Sequence, residues 1–106
     1  MLVELIYAEG DPEAMPARQN LVEVLTEDAF ETPIQMIAVA SREDAEQLGM
    51  RGSPMIRIDG ADIDPDWDGP IGMDPRRYGE DGMPPKPLIR RAVERARGWG
   101  HGRRGR

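Results

Sequence analysis

Gly52-Ser53-Pro54-Met55-Ile56-Arg57-Ile58-Asp59-Gly60-Ala61-Asp62-Ile63 reads as a strand, a tight reversal and a second strand. Asp59-Gly60 is the decisive pair. A two-residue loop that matches the twist of its flanking strands needs positive φ at both positions, and Asp-Gly tolerates it. Met55–Ile58 and Ala61–Ile63 are therefore expected to be antiparallel. Along the first run, Ile56 and Ile58 point to one face of the sheet, Met55 and Arg57 to the other.

Upstream, Leu2–Tyr7 is a short, mostly apolar run bounded by Glu9-Gly10, which suits a buried strand. Asp11-Pro12-Glu13 is a helix start: Asp11 caps free N–H groups, Pro12 fits the first helical position and Glu13 favours the positive end of the dipole. Leu21, Val22, Leu25 and Ala29 recur at helical spacing, so the helix is expected to reach about Ala29, with Pro16 bending or fraying its first turn. Ile34–Val39 is the next strand, and strand–helix–strand at this spacing makes a right-handed βαβ unit with parallel strands. Ser41 with Asp44 resembles a capping box opening a short helix that ends at Gly49.

Downstream, residues 64–84 are rich in Gly, Pro and Asp, a coil of a length that is usually functional or poorly ordered. Leu88, Ile89, Ala92, Val93 and Ala96 form one apolar stripe, predicting an amphipathic helix over residues 87–97 that Gly98 closes. The glycine-rich basic tail, residues 99–106, is expected to be mobile. The order is β-α-β-α-β-β-α. It predicts an α/β domain over residues 1–98, with a mixed four-stranded sheet and helices on both faces.

The chain has 106 residues and no cysteine, which excludes disulfides, zinc thiolates, iron–sulfur clusters and cysteine nucleophiles. No apolar run is long enough to span a bilayer, and Leu2–Ile6 lacks the basic leader and small-residue cleavage site of a signal peptide, so a cytoplasmic placement without membrane contact is expected. Residues 1–85 carry 19 acidic side chains against 6 arginines, whereas residues 86–106 carry 8 basic side chains against Glu94 alone. The acidic body repels nucleic acid and the basic end attracts it. The favoured reading lays the basic end over the acidic body of its own chain or of a neighbour, with nucleic acid the weaker alternative.

Leu48-Gly49-Met50-Arg51-Gly52-Ser53-Pro54-Met55-Ile56 resembles the segment before the third strand of thioredoxins, where a small residue precedes a cis proline. The resemblance implies a cis bond at Pro54, a proline that faces the active site, and nearby backbone free to pair with an extended substrate. Tyr7-Ala8-Glu9-Gly10-Asp11-Pro12 sits where that family places its catalytic cysteine. The chain is closer still to small bacterial thioredoxin-like proteins reading roughly Tyr-Phe-x-Gly-Cys-Pro, Gly-Ser-Pro-Thr-Ile and Gly-x-x-Cys-Arg-x-Tyr, over about residues 1–97. Its departures matter more than its matches. Asp11 stands at the first cysteine, Ala14 at a resolving position, Pro75 at the later cysteine of Gly72-Met73-Asp74-Pro75-Arg76-Arg77-Tyr78, and Met55 replaces threonine. Thiol–disulfide oxidoreductase activity is therefore not carried over. A helix N-terminus that stabilises a thiolate also stabilises a carboxylate, so Asp11 reads first as a cap and second as a catalytic group.

Asp64, Asp66, Asp68 and Gly69 match the opening of a calcium loop, with Ile71 at the usual apolar place. The closing glutamate is missing, Pro75 stands there, and acidic surface loops are common, so calcium is the minor reading. Arg51, Arg76 and Arg77 either gather at the Pro54 groove to hold an anion or a peptide carboxylate, or pair with neighbouring acids. Trp67 is expected to cover the core from its loop and Trp99 to pack at the end of the last helix. His101, the only histidine, has no evident partner, and no nucleophile elbow, phosphate loop or dinucleotide fingerprint is present.

These features predict a noncatalytic module that binds a protein or peptide through Asp11, Arg51, Ser53, Pro54, Met55 and Arg76, with a homodimer as one form of the partner and no cofactor. The alternatives are an enzyme using Asp11 and Asp74, or an anion- or calcium-binding module.

Overall fold

The computed structural model describes residues 1–27, 32–78 and 83–98. The chain runs β1 (Val3–Ala8), α1 (Ala14–Glu27), β2 (Ile34–Val39), α2 (Arg42–Leu48), β3 (Arg51–Ser53), β4 (Met55–Ile58), β5 (Ala61–Asp62), β6 (Gly72–Pro75) and α3 (Lys86–Ala96). The main sheet has the order β2-β1-β4-β5. β1 is parallel to β2 from Val3↔Ile34 to Ala8↔Val39 and antiparallel to β4 from Val3↔Ile58 to Ile6↔Met55. The α/β class, the mixed four-stranded sheet and its three helices thus follow the expectation.

The hairpin has the geometry its sequence demands. Asp59 and Gly60 lie at φ 53° and 83°, both in the left-handed region, as the tight turn requires. The turn is also tied to the start of β1: the Asp59 N–H donates to the Leu2 carbonyl (2.7 Å), and the Leu2 N–H donates to Asp59 Oδ1 (2.7 Å).

Pleat alternation divides the core in two. Val3, Leu5, Ile56 and Ile58 face α1 and α3, where they pack with Leu21, Val24, Ile89 and Val93. Ile6, Val39 and Met55 face the other way and pack with Ala45 of α2 and Met50. The helices therefore cover both faces. α3 also crosses to α1 through charge: Lys86 pairs with Glu23, and Arg90 with Glu27 at 2.7 Å. The bonded ammonium of Lys86 holds the Glu23 carboxyl below its usual range. Lys86 and Arg90 of the basic end thus pair with acids of the body; residues 99–106, with Trp99 and His101, are outside the described residues.

β1 and β5 differ from the sequence reading by a residue at their ends, as Val3–Ala8 and Ala61–Asp62, and the helix boundaries differ further. α1 begins at Ala14 rather than at Pro12, because Asp11 first closes a turn in which the Ala14 N–H donates to the Asp11 carbonyl at 3.2 Å. Pro16 then occupies the third helical position, where a backbone N–H has no acceptor within the helix, so the proline costs no hydrogen bond. The helix is described to Glu27, and the expected extension to Ala29 falls outside the described residues. α3 is one residue out of register with the expected 87–97, and α2 ends as expected in a left-handed Gly49 at φ 68°.

The largest correction is in the supposed coil over residues 64–84. Its middle forms β6, which pairs in parallel with β3 at Arg51↔Gly72 and Ser53↔Pro75. Gly52 makes this possible. It sits at φ 84°, and a Cβ built there would lie 2.7 Å from Arg76 Cβ and 3.1 Å from the Trp67 ring. Gly60 has a similar φ but open space around it. Urea denaturation of Gly60→Ala is expected to show a loss of about 1 kcal/mol, the cost of the backbone conformation alone. Gly52→Ala is expected to lose about 3 kcal/mol, because backbone conformation and crowding add.

Candidate functional site

The helix tip, the end of β3 and the β6 segment meet around Ser53-Pro54. The peptide bond between these two residues is cis. Ser53 is buried, and its hydroxyl links two elements: the Ala8 N–H donates to Ser53 Oγ (2.8 Å), and that hydroxyl donates to Asp11 Oδ2 (2.5 Å). The other oxygen of the carboxylate, Asp11 Oδ1, accepts the Glu13 N–H at 2.9 Å. The Asp11 side chain thus has both oxygens engaged. It caps the approach to α1 and clamps that tip onto the residue before Pro54.

The second anchor comes from the other side. The Arg76 N–H donates to the Ser53 carbonyl (2.8 Å), and the Tyr78 hydroxyl donates to the Pro54 carbonyl (2.9 Å). The backbone expected to be open to an extended peptide is therefore occupied by the chain itself. Burial pushes the Tyr78 phenol far above its ordinary value, outweighing the opposing pull of the Arg76 charge.

Arg76 is not a lining residue of the groove, as one of its two sequence readings had it. It is 1% exposed and lies beneath the groove rather than in it. Its guanidinium meets the Asp62 carboxylate in a fork, Nη1 to Oδ2 at 2.8 Å and Nη2 to Oδ1 at 2.9 Å. The same nitrogens donate to the carbonyls of Arg51 (3.1 Å) and Asp64 (3.0 Å). Trp67 stacks on it with the ring centroid 4.4 Å away, and Tyr78 lies at 4.9 Å. Nε has no hydrogen-bond partner among the described residues. The alternative reading, pairing with neighbouring acids, is the one this arginine follows. Trp67 does cover the interior from its loop, but the group beneath it is a cation.

The remaining candidates disperse. Met55 is buried in the second core cluster, where its Sδ accepts the Arg51 N–H at 3.4 Å. The Arg51 side chain leans toward the loop, with Nε donating to the Gly69 carbonyl (3.4 Å) and the guanidinium 5.6 Å from the Trp67 centroid. Arg77 is exposed. Asp74, the proposed partner of Asp11 in an enzyme, is exposed on β6, while Asp11 is spoken for by Ser53. Among the described residues no three histidine, aspartate or glutamate side chains converge as a metal would need, so Asp64, Asp66 and Asp68 do not gather as the minor, calcium-loop reading required. Asp64 instead gives its carbonyl to Arg76 and its N–H to Asp62 Oδ1 (2.8 Å).

Open space lies elsewhere. A cleft of about 360 Å³ separates the hairpin from α3, lined by Ile58, Asp59, Ala61, Asp62, Ala92, Arg95 and Ala96. Another of about 230 Å³ lies between Tyr78 and Leu88. Neither includes Asp11, Ser53 or Pro54. No helix among the described residues is long and apolar enough to cross a membrane. Comparison with protein-family models, with curated proteins and with solved structures gives no match.

Asp62→Ala strands the Arg76 charge in the interior and is expected to cost about 3–5 kcal/mol in chemical denaturation. The double variant Asp62→Ala, Arg76→Met removes the stranded charge and is expected to be more stable than Asp62→Ala alone. Tyr78 supplies a second, pH-dependent test. Its folded pKa is raised, so the folded state holds the phenolic proton more tightly than the unfolded chain. That stabilisation is fully present below about pH 10, the ordinary phenol value, and is lost as pH rises beyond it. Tyr78→Phe is expected to lose about 1 kcal/mol at neutral pH, with a flatter decline in stability above about pH 10 than the parent shows.

Proposed function

We propose that this chain is a noncatalytic, thioredoxin-like contact module that joins proteins rather than transforming a substrate. The strand order β2-β1-β4-β5, with α1 and α3 on one face and α2 on the other, supports the fold assignment. So does the placing of the α1 tip against Ser53-Pro54. One observation carries the functional reading: both oxygens of Asp11 are bound internally, by Ser53 and by the Glu13 N–H. A general base needs a carboxylate free to meet a substrate proton, and a nucleophile needs an open approach. A clamp needs neither.

The peptide-groove version of this reading changes in one respect. The carbonyls of Ser53 and Pro54 are taken by Arg76 and Tyr78, so an extended peptide pairs there only by displacing β6. The contact surface is accordingly one that the fold leaves open, away from Pro54.

If Asp11 is a clamp, Asp11→Ala and Ser53→Ala each lower stability by about 1–2 kcal/mol, and the double variant loses less than the sum of the two. Full additivity in denaturation would count against the clamp. The contact reading itself is tested on the intact chain by sedimentation velocity together with chemical crosslinking in cell extract. Self-association or a discrete crosslinked complex is expected. A strict monomer that yields no crosslinked species would overturn it.

A further inference from the structure

The two edges of the main sheet are built differently. β5 is two residues long and carries Asp62, whose side chain is committed to Arg76, so this edge offers little to an incoming strand. β2 is six residues long, Ile34-Gln35-Met36-Ile37-Ala38-Val39, with no charge, no proline and no glycine, and among the described residues it pairs only with β1. Neither a charge, a proline nor a bulge within the strand protects this edge, and among the described residues nothing pairs over it.

Its backbone orientation follows from one hydrogen bond. The Val39 carbonyl accepts the Glu9 N–H at 2.9 Å, so the polar groups of Val39 point toward β1. Backbone direction alternates along a strand. Gln35 and Ile37 therefore also face β1, and the N–H and C=O groups of Ile34, Met36 and Ala38 face outward. Among the described residues nothing pairs with those outward groups.

We infer that β2 is the contact surface of the module and that its partner is a second copy of this chain, joined antiparallel through β2 about Met36. The inference rests on the contact-module reading and deepens it by naming the partner. In this register Met36 faces its own copy, Ile34 faces Ala38 of the second copy, and Ala38 faces Ile34. Every outward N–H and C=O then exchanges hydrogen bonds in closed pairs, with no group left over. The large Ile34 meets the small Ala38, and Gln35 crosses from Ile37 on the opposite face. Charge selects the same place. Residues 1–85 are strongly acidic, so two copies repel over most of their surface, whereas β2 brings no ionisable group to the junction. The two-fold arrangement also closes: it uses the β2 edge of both copies and yields an eight-stranded sheet rather than a fibre.

Gln35 and Ala38 are exposed, so Gln35→Lys with Ala38→Lys leaves the interior of a protomer untouched while placing like charges along both faces of the junction. Wild-type chain is expected to sediment as a dimer, and the amides of Ile34, Met36 and Ala38 to be protected from hydrogen exchange. The double variant is expected to sediment as a monomer with unchanged circular dichroism, and those three amides to exchange roughly tenfold faster or more. Ala38→Pro gives a second route, since it removes only an outward N–H, and it too is expected to yield a monomer. A wild-type dimer that persists in the charged variant overturns the inference by placing the interface elsewhere. A wild-type monomer whose three amides exchange freely overturns it as well. If that monomer still forms a discrete crosslinked complex with another protein, the contact-module reading survives and only the second-copy partner is lost.

Discussion

A guanidinium taken out of water must be met by charge and by hydrogen-bond acceptors from several directions, and Arg76 collects them from Arg51 and from the segment Asp62 to Trp67. Asp62 supplies the charge, Arg51 and Asp64 supply carbonyls, and Trp67 closes the face. The fork to Asp62 fixes orientation as well as energy, because two parallel N–H···O bonds allow only one relative placement of the planar groups. The segment from Asp62 to Tyr78 has few apolar side chains with which to define its path. It is organised by one buried cation instead. Gly52 and Gly69 belong to the same arrangement: a Cβ at Gly69 would fall 1.9 Å from the Trp67 ring, so the loop and the stacked indole require each other.

That cation also explains how β6 reaches β3. A strand of Gly72, Met73, Asp74 and Pro75 has little intrinsic preference for extended pairing, and Pro75 cannot donate to a ladder. The pairing holds because Arg76, the next residue, is anchored below the sheet and donates its own N–H to the Ser53 carbonyl. Tyr78 adds the bond to Pro54 two residues later. Ser53-Pro54 is consequently held by the α1 tip through Asp11, by β1 through Ala8 and by the β6 segment through Arg76 and Tyr78.

Elements stabilised by near neighbours were legible in the sequence. The Asp59-Gly60 turn, the cap of α2 by Ser41 on the Asp44 N–H, the left-handed Gly49 and the stripe of α3 each depend on residues a few positions apart. The split of Ile56 and Ile58 from Met55 follows from pleating alone. β6 was not legible, since its cause is a contact between residues 14 positions apart that leaves no period in the sequence. The pairing of Arg76 with an acid was among its sequence readings, but its burial was not, since arginine is seldom fully buried. The signal available was the company it keeps, with Asp62, Trp67 and Tyr78 all nearby in a segment otherwise poor in core residues. The nearness of the α1 tip to Ser53-Pro54 was expected only through the resemblance to thioredoxins, and the Asp11–Ser53 hydrogen bond was not expected at all, as residues 42 apart share no local pattern.

The same distribution of anchors accounts for what the fold leaves open. Each element that borders Ser53-Pro54 is fastened by side chains whose other ends are already engaged, so chemistry there competes with stability. Freeing Asp11 would open the α1 tip, and freeing the Ser53 carbonyl would lift β6 together with the residue that neutralises Asp62. β2 lies on the far side of β1 from all of this. Its inward side chains serve the two cores and its inward backbone serves β1, while its outward backbone serves no group within the described chain. A strand in that position can gain a neighbour without loosening anything. A contact function is therefore physically separable from the clamped centre, and change at the exposed Gln35 and Ala38 of β2 is free of the stability penalty that constrains residues 50–78.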